Sequence, residues 1–343
     1  MSDPAPAGLR RESRTLLPTV SVIIPAYNAG STVERAIRSV LCQSRADLEV
    51  IVVDDGSTDA TPKIVREIAA QDNRVRLIQN PINLGVAASR NRALDAATGI
   101  WIALLDADDV WLPERLEQLL KRGAAYDIVS DDLLIVRSTE MHQPGLPRWR
   151  FLPFVGLKVM NGHQLAVEEF IKYDLAFLKP LTKRAFINEN CLRYDEDQRV
   201  AEDFYFYLKC LVAGARWLLL QEAHYVYIRG SDSLSRDMAQ MAEEHIRRSD
   251  KLLRTINPSQ REIYRLLSLF NRQWRATAAL EAVRKRLRER DLSGLGHLLV
   301  EQPSFVGLIS WKVSRHLLYR RLLAPLTAAR NKVNGERHPL SVH

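Results

Sequence analysis

Short apolar runs alternate with amphipathic stretches from Val20 to about Ser130. Val20 to Tyr27 is a β-branched run closed by Asn28 and Gly30. Glu49 to Val53 is a second run that ends in Asp54 and Asp55. Ile100 to Leu105 is a third, preceded by Gly99 and ending in Asp106, Ala107, Asp108 and Asp109. Unbroken apolar sequence of this length predicts strands buried on both faces. Val75 to Gln79 predicts a shorter strand. Between the strands, Thr32 to about Cys42 places Val33, Ile37, Val40 and Leu41 on one helical stripe. Thr58 to Ala70, and the segment that runs from Asn83-Leu84-Gly85 to near Ala97, predict two further helices. The resulting β-α-β-α-β-α-β order predicts an α/β fold, with a doubly wound, mostly parallel sheet and helices on both faces.

Beyond Ser130 the pattern is less regular. Ile128 to Arg137 predicts a strand, and the prolines and aromatics of Gln143 to Val159 predict loops and short strands. Helices are expected over Gly162 to Tyr173 and Gln198 to Val212, and two short strands over Ala215 to Leu220 and Ala223 to Ile228. From about Ser235 the pattern turns helical, with Met238 to Thr255, Ser259 to Arg290 and Phe305 to Asn331 as the predicted helices.

Charge sharpens this division. The 343-residue chain carries a formal charge of +8, yet Arg236 to His343 alone holds 21 Lys and Arg against 10 Asp and Glu. A strongly basic last third behind a slightly acidic remainder predicts contact with an anionic surface. Phe305 to Arg330 interleaves Leu, Ile, Trp and Tyr with Lys312, Arg315, Arg320, Arg321 and Arg330, which suits a helix lying on anionic lipid or one packed on the rest of the protein. No window reaches the length of a spanning helix. The three cysteines, Cys42, Cys191 and Cys210, are too widely spaced for a disulfide framework or a zinc site and fit a reducing compartment. Residues 1–19 read as a flexible leader without a signal-peptide core. The expected location is cytoplasmic, peripheral on the cytoplasmic face of the inner membrane.

The acids are the candidate chemistry. Carboxylates at Asp106, Asp108 and Asp109 repel one another unless a cation sits among them, and hard oxygen ligands suit Mg²⁺ or Mn²⁺. They fall past the carboxyl end of a strand, where open α/β sheets hold ligands. The competing reading is a solvated acidic turn that caps the next helix. Asp54 and Asp55 have a similar alternative as a helix cap before Thr58. Glu202 and Asp203 have one as first-turn acids favoured by the helix dipole. As neighbours on a helix those two point about 100° apart, so only one is expected to face a given site.

Taken in order, VSVIIPAYNAGSTVERAIRSVLCQS, EVIVVDDGSTDAT, NLGVAASRNRALDAATG, IALLDADD and the AED of RVAEDFYFYLKCLVAG resemble the nucleotide-sugar glycosyltransferases of family 2, with their GT-A fold. The closest flavour is that of bacterial exopolysaccharide enzymes of the succinoglycan type. The resemblance covers residues 20 to 235. It implies that Pro25, Ala26 and Tyr27 bracket the uracil ring and that Asp55 accepts from the ring N–H. It further implies that Arg90 faces the diphosphate, although a solvated helix arginine is the alternative. Asp106 is placed at the ribose and metal, Asp108 on the divalent ion, Arg229 on the diphosphate from a loop after the core, and His224 as a possible third ligand or a structural residue. Asp203 becomes the general base and Glu202 an acceptor-binding or supporting carboxylate.

The domain organisation then reads as a leader (1–19), a nucleotide-sugar-binding half (20–130), an acceptor-binding half (131–235) and a basic helical region (236–343). The implied activity is inverting, metal-dependent transfer of a hexose, with glucose from UDP-glucose expected, to a growing or polyprenyl-diphosphate-linked saccharide. The Gln-x-x-Arg-Trp signature of polymerising relatives is absent, which points to transfer of a single sugar. The alternatives are a sugar-phosphate nucleotidyltransferase, for which PAYNAGST is a poor phosphate-gripping loop, and a non-catalytic nucleotide-sugar-binding protein. No nucleic-acid-binding signature occurs.

Overall fold

The structure, a computed structural model, describes residues 18–137, 149–160, 162–198, 200–229, 238–256, 260–291 and 293. The apolar runs form the expected strands: β1 (Val20–Ala26), β2 (Leu48–Asp54), β3 (Val75–Gln79) and β4 (Trp101–Leu104). They are parallel, with Val22 opposite Val50 and Ala103, and Val52 opposite Leu77. Val22, Ile23, Ile24 and Val50 to Val53 are wholly buried, as strands covered on both faces must be. The helices α1 (Val33–Leu41), α2 (Thr61–Ala69) and α3 (Val86–Ala96) connect them.

The strand order β3-β2-β1-β4 reverses its direction of growth at β1. With right-handed crossovers, that reversal puts α1 and α2 on one face and α3 on the other. It also opens a crevice at the carboxyl ends of β1 and β4. Close pairing at the opposite end of β4 depends on Gly99, where a Cβ would lie 2.5 Å from the Ser21 amide nitrogen.

The sheet continues through β5 (Val110–Trp111), β6 (Ile128–Arg137), β7 (Trp149–Arg150), β8 (His163–Gln164), β9 (Leu181–Lys183) and β10 (Trp217–Arg229). The helices of this part are α4 (Arg115–Gly123), α5 (Phe151–Val155), α7 (Arg184–Glu189) and α8 (Glu202–Val212), while α6 (Val167–Tyr173) belongs to a second compact unit. β9 lies antiparallel between β4 and β6, and nothing in the periodicity announced this three-residue strand. Three expectations change. The stretch expected as loops and short strands carries the helix α5, which Pro153 tolerates because it sits in the first turn. The helix expected from Gly162 begins at Val167, because His163 and Gln164 pair with Leu219 and Leu218 of β10. The two short strands expected over 215–228 are one strand, with register shifts between Leu219 and Tyr225 where it runs along β6.

Two compact units are present, one within Met1–Ala166 and Ala176–Gly230, the other within Val167–Leu175 and Ser231–His343. The second is helical in its described residues. α9 (Met238–Thr255) and α10 (Arg261–Arg288) pack together through His245, whose ring stacks on Trp274 at 4.2 Å. Asn271 Nδ2 donates to Ser249 Oγ at 2.7 Å in the same interface. No helix among the described residues is long and apolar enough to cross a membrane. The helix expected over Phe305 to Asn331 lies outside the described residues.

Candidate active site

The parallel register sets the carboxyl ends of β1, β2 and β4 side by side, with Ala26 opposite Asp54 and Ile23 opposite Leu104. Tyr27 therefore leaves β1 half exposed, at 51%, beside Pro25 and the buried Ala26. Asp55 is buried, and its carboxylate accepts from Asn80 Nδ2 at 2.6 Å and from the amides of Leu84 and Gly85 at 2.9 and 2.8 Å. One lone-pair direction of an ionised carboxylate remains after these three bonds. Gly56 follows with φ +73°, and a Cβ there would meet the Ile82 carbonyl carbon at 2.7 Å. The loops after β1 and β2 are tied together: Asn28 N donates to Ser57 Oγ and Thr58 N to Asn28 Oδ1. The cap reading of Asp54 and Asp55 does not hold, because α2 starts at Thr61, whose amide bonds Asp59.

Across the crevice, Arg90 of α3 is the meeting point of the acidic motifs. Its side chain is 2% exposed, which overturns the solvated alternative. Its Nη1 donates to Glu202 Oε1 and to Asp203 Oδ1, both at 2.7 Å, and its Nη2 to Asp106 Oδ1 at 3.1 Å. The expectation that only one of the adjacent acids could face the site is thus corrected. The long arginine reaches between both carboxylates at the first turn of α8, which starts at Glu202, four residues later than the apolar pattern suggested. Ala201 just before it has φ +59°, a left-handed backbone uncommon for a residue with a Cβ.

A residue that the sequence did not single out completes the arrangement. Lys179 Nζ lies 2.6 Å from Asp203 Oδ2 and 2.8 Å from Asp106 Oδ2. Lys179 precedes β9, and an antiparallel strand brings its beginning to the edge where parallel neighbours bring their ends. The short LKPLTK segment shows neither helical nor alternating pattern, so its only sequence signal was a lysine beside Pro180.

These charges set the protonation of the acids. Burial pushes Asp106 up, but Lys179 and Arg90 outweigh it and hold the carboxyl at about 2. Asp108 is raised by burial and by the negative Asp106, and no side-chain cation pairs with its carboxylate among the described residues. Its carbonyl accepts from Arg35 Nη2 at 2.9 Å. Burial also raises Glu202 in spite of Arg90. Asp109 neither caps α4 nor faces the crevice: its carboxylate accepts from Tyr225 Oη at 2.7 Å and from the Ile228 amide at 2.8 Å. Burial and the charges of Asp106 and Asp108 lift it well above the usual range.

Arg229 follows Ile228 at the exposed end of β10. The rest of its loop lies outside the described residues. The His224 amide donates to Asp131 Oδ2 at 2.9 Å, and its ring Nδ1 lies 3.8 Å from the same oxygen.

No group of three or more His, Cys, Asp and Glu residues among the described residues is arranged to hold a metal ion. An ion such as Mg²⁺ needs only one or two carboxylates when a diphosphate supplies the other oxygens. Asp108 reaches the surface and its carboxylate forms no ion pair among the described residues, so its oxygens are open to such a role.

Residues 21–166 match Glycosyl transferase family 2. The chain is 35% identical to Succinoglycan biosynthesis protein ExoO of Rhizobium meliloti over 230 residues, covering 64% of this chain and 63% of that protein, a little under two thirds of the relative's length. It is 33% identical to EpsE of Bacillus subtilis, named as a glycosyltransferase, over 64% of this chain and 76% of EpsE. It is also 38% identical to UDP-Glc:alpha-D-GlcNAc-diphosphoundecaprenol beta-1,3-glucosyltransferase WfgD of Escherichia coli, over 34% of this chain and 49% of WfgD. Two solved structures share the fold at low identity. Mannosyltransferase PcManGT from Pyrobaculum calidifontis, in complex with GDP-Man and Mn²⁺, gives a TM-score of 0.56 at 22% identity, over 94% of this chain and 89% of that one. TarS 1-349 of S. aureus, in complex with UDP-GlcNAc, gives 0.55 at 19% identity, over 83% and 92%.

Proposed function

The chain belongs to glycosyl transferase family 2, and from that premise we propose that it transfers glucose from UDP-glucose, with inversion, to a growing or lipid-diphosphate-linked saccharide of a bacterial exopolysaccharide. The observation that carries this reading is the sharing of Arg90 and Lys179 between Asp106, at the tip of β4, and Asp203, at the start of α8. That sharing supports a reading in which donor-side and acceptor-side acids act across one crevice. The names of ExoO and WfgD support the pathway class, the donor and the acceptor chemistry. No observation favours the nucleotidyltransferase or the non-catalytic alternative.

In this mechanism Tyr27 and Pro25 bracket the base, and Asp55 accepts the ring N–H with its remaining lone pair. Asp108, with Asp106, would hold Mg²⁺ or Mn²⁺, which when bound offsets the charge that gathers on the departing diphosphate. Asp203 takes the proton of the acceptor hydroxyl as that oxygen attacks the anomeric carbon. The new C–O bond forms as the bond to the diphosphate breaks, and UDP carries away its electron pair. A single displacement of this kind inverts the centre. Glu202 is held by the same guanidinium and orients the acceptor. Arg229 faces the diphosphate from the end of β10.

The test is a panel of UDP-sugars with and without Mn²⁺, followed by protection against thermal unfolding and by UDP release. UDP-glucose is expected to protect most, and more with the metal. Asp203→Asn should keep UDP binding while turnover collapses, and Asp108→Ala should lose the metal-dependent part of donor binding. Preference for another sugar would refute the glucose assignment, and wild-type turnover in Asp203→Asn would remove it as the base. The basic region 236–343 is read as a peripheral membrane contact. Unchanged co-sedimentation with anionic vesicles after deletion of residues 305–343 would count against that role for this segment.

A further inference from the structure

Lys179 is more tightly held than a charge partner needs to be. Its side chain is 7% exposed and both of its acid contacts are shorter than 3 Å, at 2.6 and 2.8 Å. Its carbonyl oxygen accepts from Arg115 Nη2 at 2.5 Å. Arg115 is itself wholly buried, paired with Asp131 at 2.9 Å and lying 4.7 Å from the Trp111 ring centre and 5.1 Å from that of Tyr225. The Tyr225 hydroxyl in turn accepts from the Asp106 amide at 3.3 Å. A closed circuit results: Asp106 backbone, Tyr225, Arg115, Lys179 backbone, Lys179 ammonium, Asp106 carboxylate.

Stability alone is weak grounds for such a circuit. Buried charges replaced by well-packed apolar groups often leave a fold as stable or more so. What the circuit supplies is location, because a compact ammonium with three donors can hold two carboxylates at one point.

We propose that Lys179 is a positioning residue, whose ammonium pins the donor-side Asp106 and the acceptor-side Asp203 together and so sets where Asp203 meets the acceptor hydroxyl. The inference rests on the reading of Asp203 as general base. Arg115 and Asp131 serve as its fixed support from behind.

The experiment is a double-mutant cycle on the full chain, with Lys179→Met, Asp203→Asn and the pair. Turnover is read as UDP release from UDP-glucose with Mn²⁺ and a synthetic lipid-diphosphate-linked N-acetylglucosamine. Displacing a reacting group by about 1 Å costs on the order of 100-fold, so Lys179→Met is expected to lower kcat by roughly that factor, with any rise in donor KM, felt through Asp106, smaller than the fall in kcat. Lys179→Arg should restore part of the loss. Combined with Asp203→Asn, Lys179→Met should add almost nothing, since both act on one step. Losses that multiply, a loss confined to KM, or wild-type kcat in Lys179→Met would each overturn the proposal. Should Lys179→Met fail to fold, Lys179→Arg keeps the cation and enters the same cycle with the same readout. Wild-type turnover in Asp203→Asn alone would instead refute the base assignment, a result distinct from Lys179 losses that are independent of an essential Asp203.

Discussion

Replacing Arg90 by methionine offers a quantitative test of the charge network. The guanidinium sits 2.7, 2.7 and 3.1 Å from Glu202, Asp203 and Asp106, and these side chains are 14%, 11% and 26% exposed. Without it, Lys179 alone faces three carboxylates. Removing one partner of a buried ion pair costs about 3–5 kcal/mol. At about 2–4 °C per kcal/mol for a unit of this size, Tm should fall by roughly 6–20 °C.

The deficit should also depend on pH. Burial already raises Glu202 although Arg90 opposes it, and without Arg90 the folded value climbs further above the unfolded one near 4.3. A carboxyl that binds its proton more tightly when folded contributes stability below its unfolded value and loses that contribution as pH rises through the folded value. The deficit of Arg90→Met should therefore be larger at about pH 8 than at about pH 5. Adding Glu202→Gln should recover part of it at the higher pH. Calorimetric melts of the three proteins at both pH values decide the matter. An equal deficit at both, or a Tm change under about 2 °C, would refute the reasoning.

Three further outcomes are expected. Gly99→Ala sets a Cβ 2.5 Å from the Ser21 nitrogen and 2.8 Å from the Val20 carbonyl carbon; because both neighbours are backbone of a central strand, the loss should be about 1–3 kcal/mol in urea unfolding. Tyr27→Ala removes an exposed ring, so stability should stay within about 0.5 kcal/mol while UDP affinity, by calorimetric titration, falls roughly 2–10-fold for a lost stacking contact. Trp217→Phe deletes the buried bond from indole Nε1 to Ser130 Oγ at 2.8 Å and should cost about 1–3 kcal/mol; adding Ser130→Ala should return part of that, and no recovery would mean that packing alone carries the loss.

The parallel half of the sheet was legible because its strands declare themselves locally. Residues Val22 to Ile24 and Val50 to Val53 are apolar in succession, and a strand covered on both faces tolerates nothing else. The acids after β2 and β4 were legible for the same reason, since a polar residue straight after such a run has to sit at the edge. The apolar period places the start of α8 too early because Val200 continues it, whereas the helix opens only after Ala201 turns left-handed. The pattern over β10 predicts two strands because Gln221 and Glu222 interrupt its apolar run, yet the backbone runs on past them.

In the parallel half, β1 to β4 with α1 to α3, the order of strands and helices, the acids at strand ends and the family whose ordered motifs they resemble are all readable in the sequence, because each is written in neighbours a few residues apart. Only the tertiary structure decided that β9 enters the sheet backwards and delivers Lys179, that Arg90 is buried, and that Glu202 and Asp203 converge on one nitrogen. Those contacts join residues 24 and 113 positions apart. A lysine or arginine on its own reads the same whether it faces water or three carboxylates. The difference lies in which surfaces the chain brings against it, and hydrophobic periodicity records that a residue is covered without recording by what.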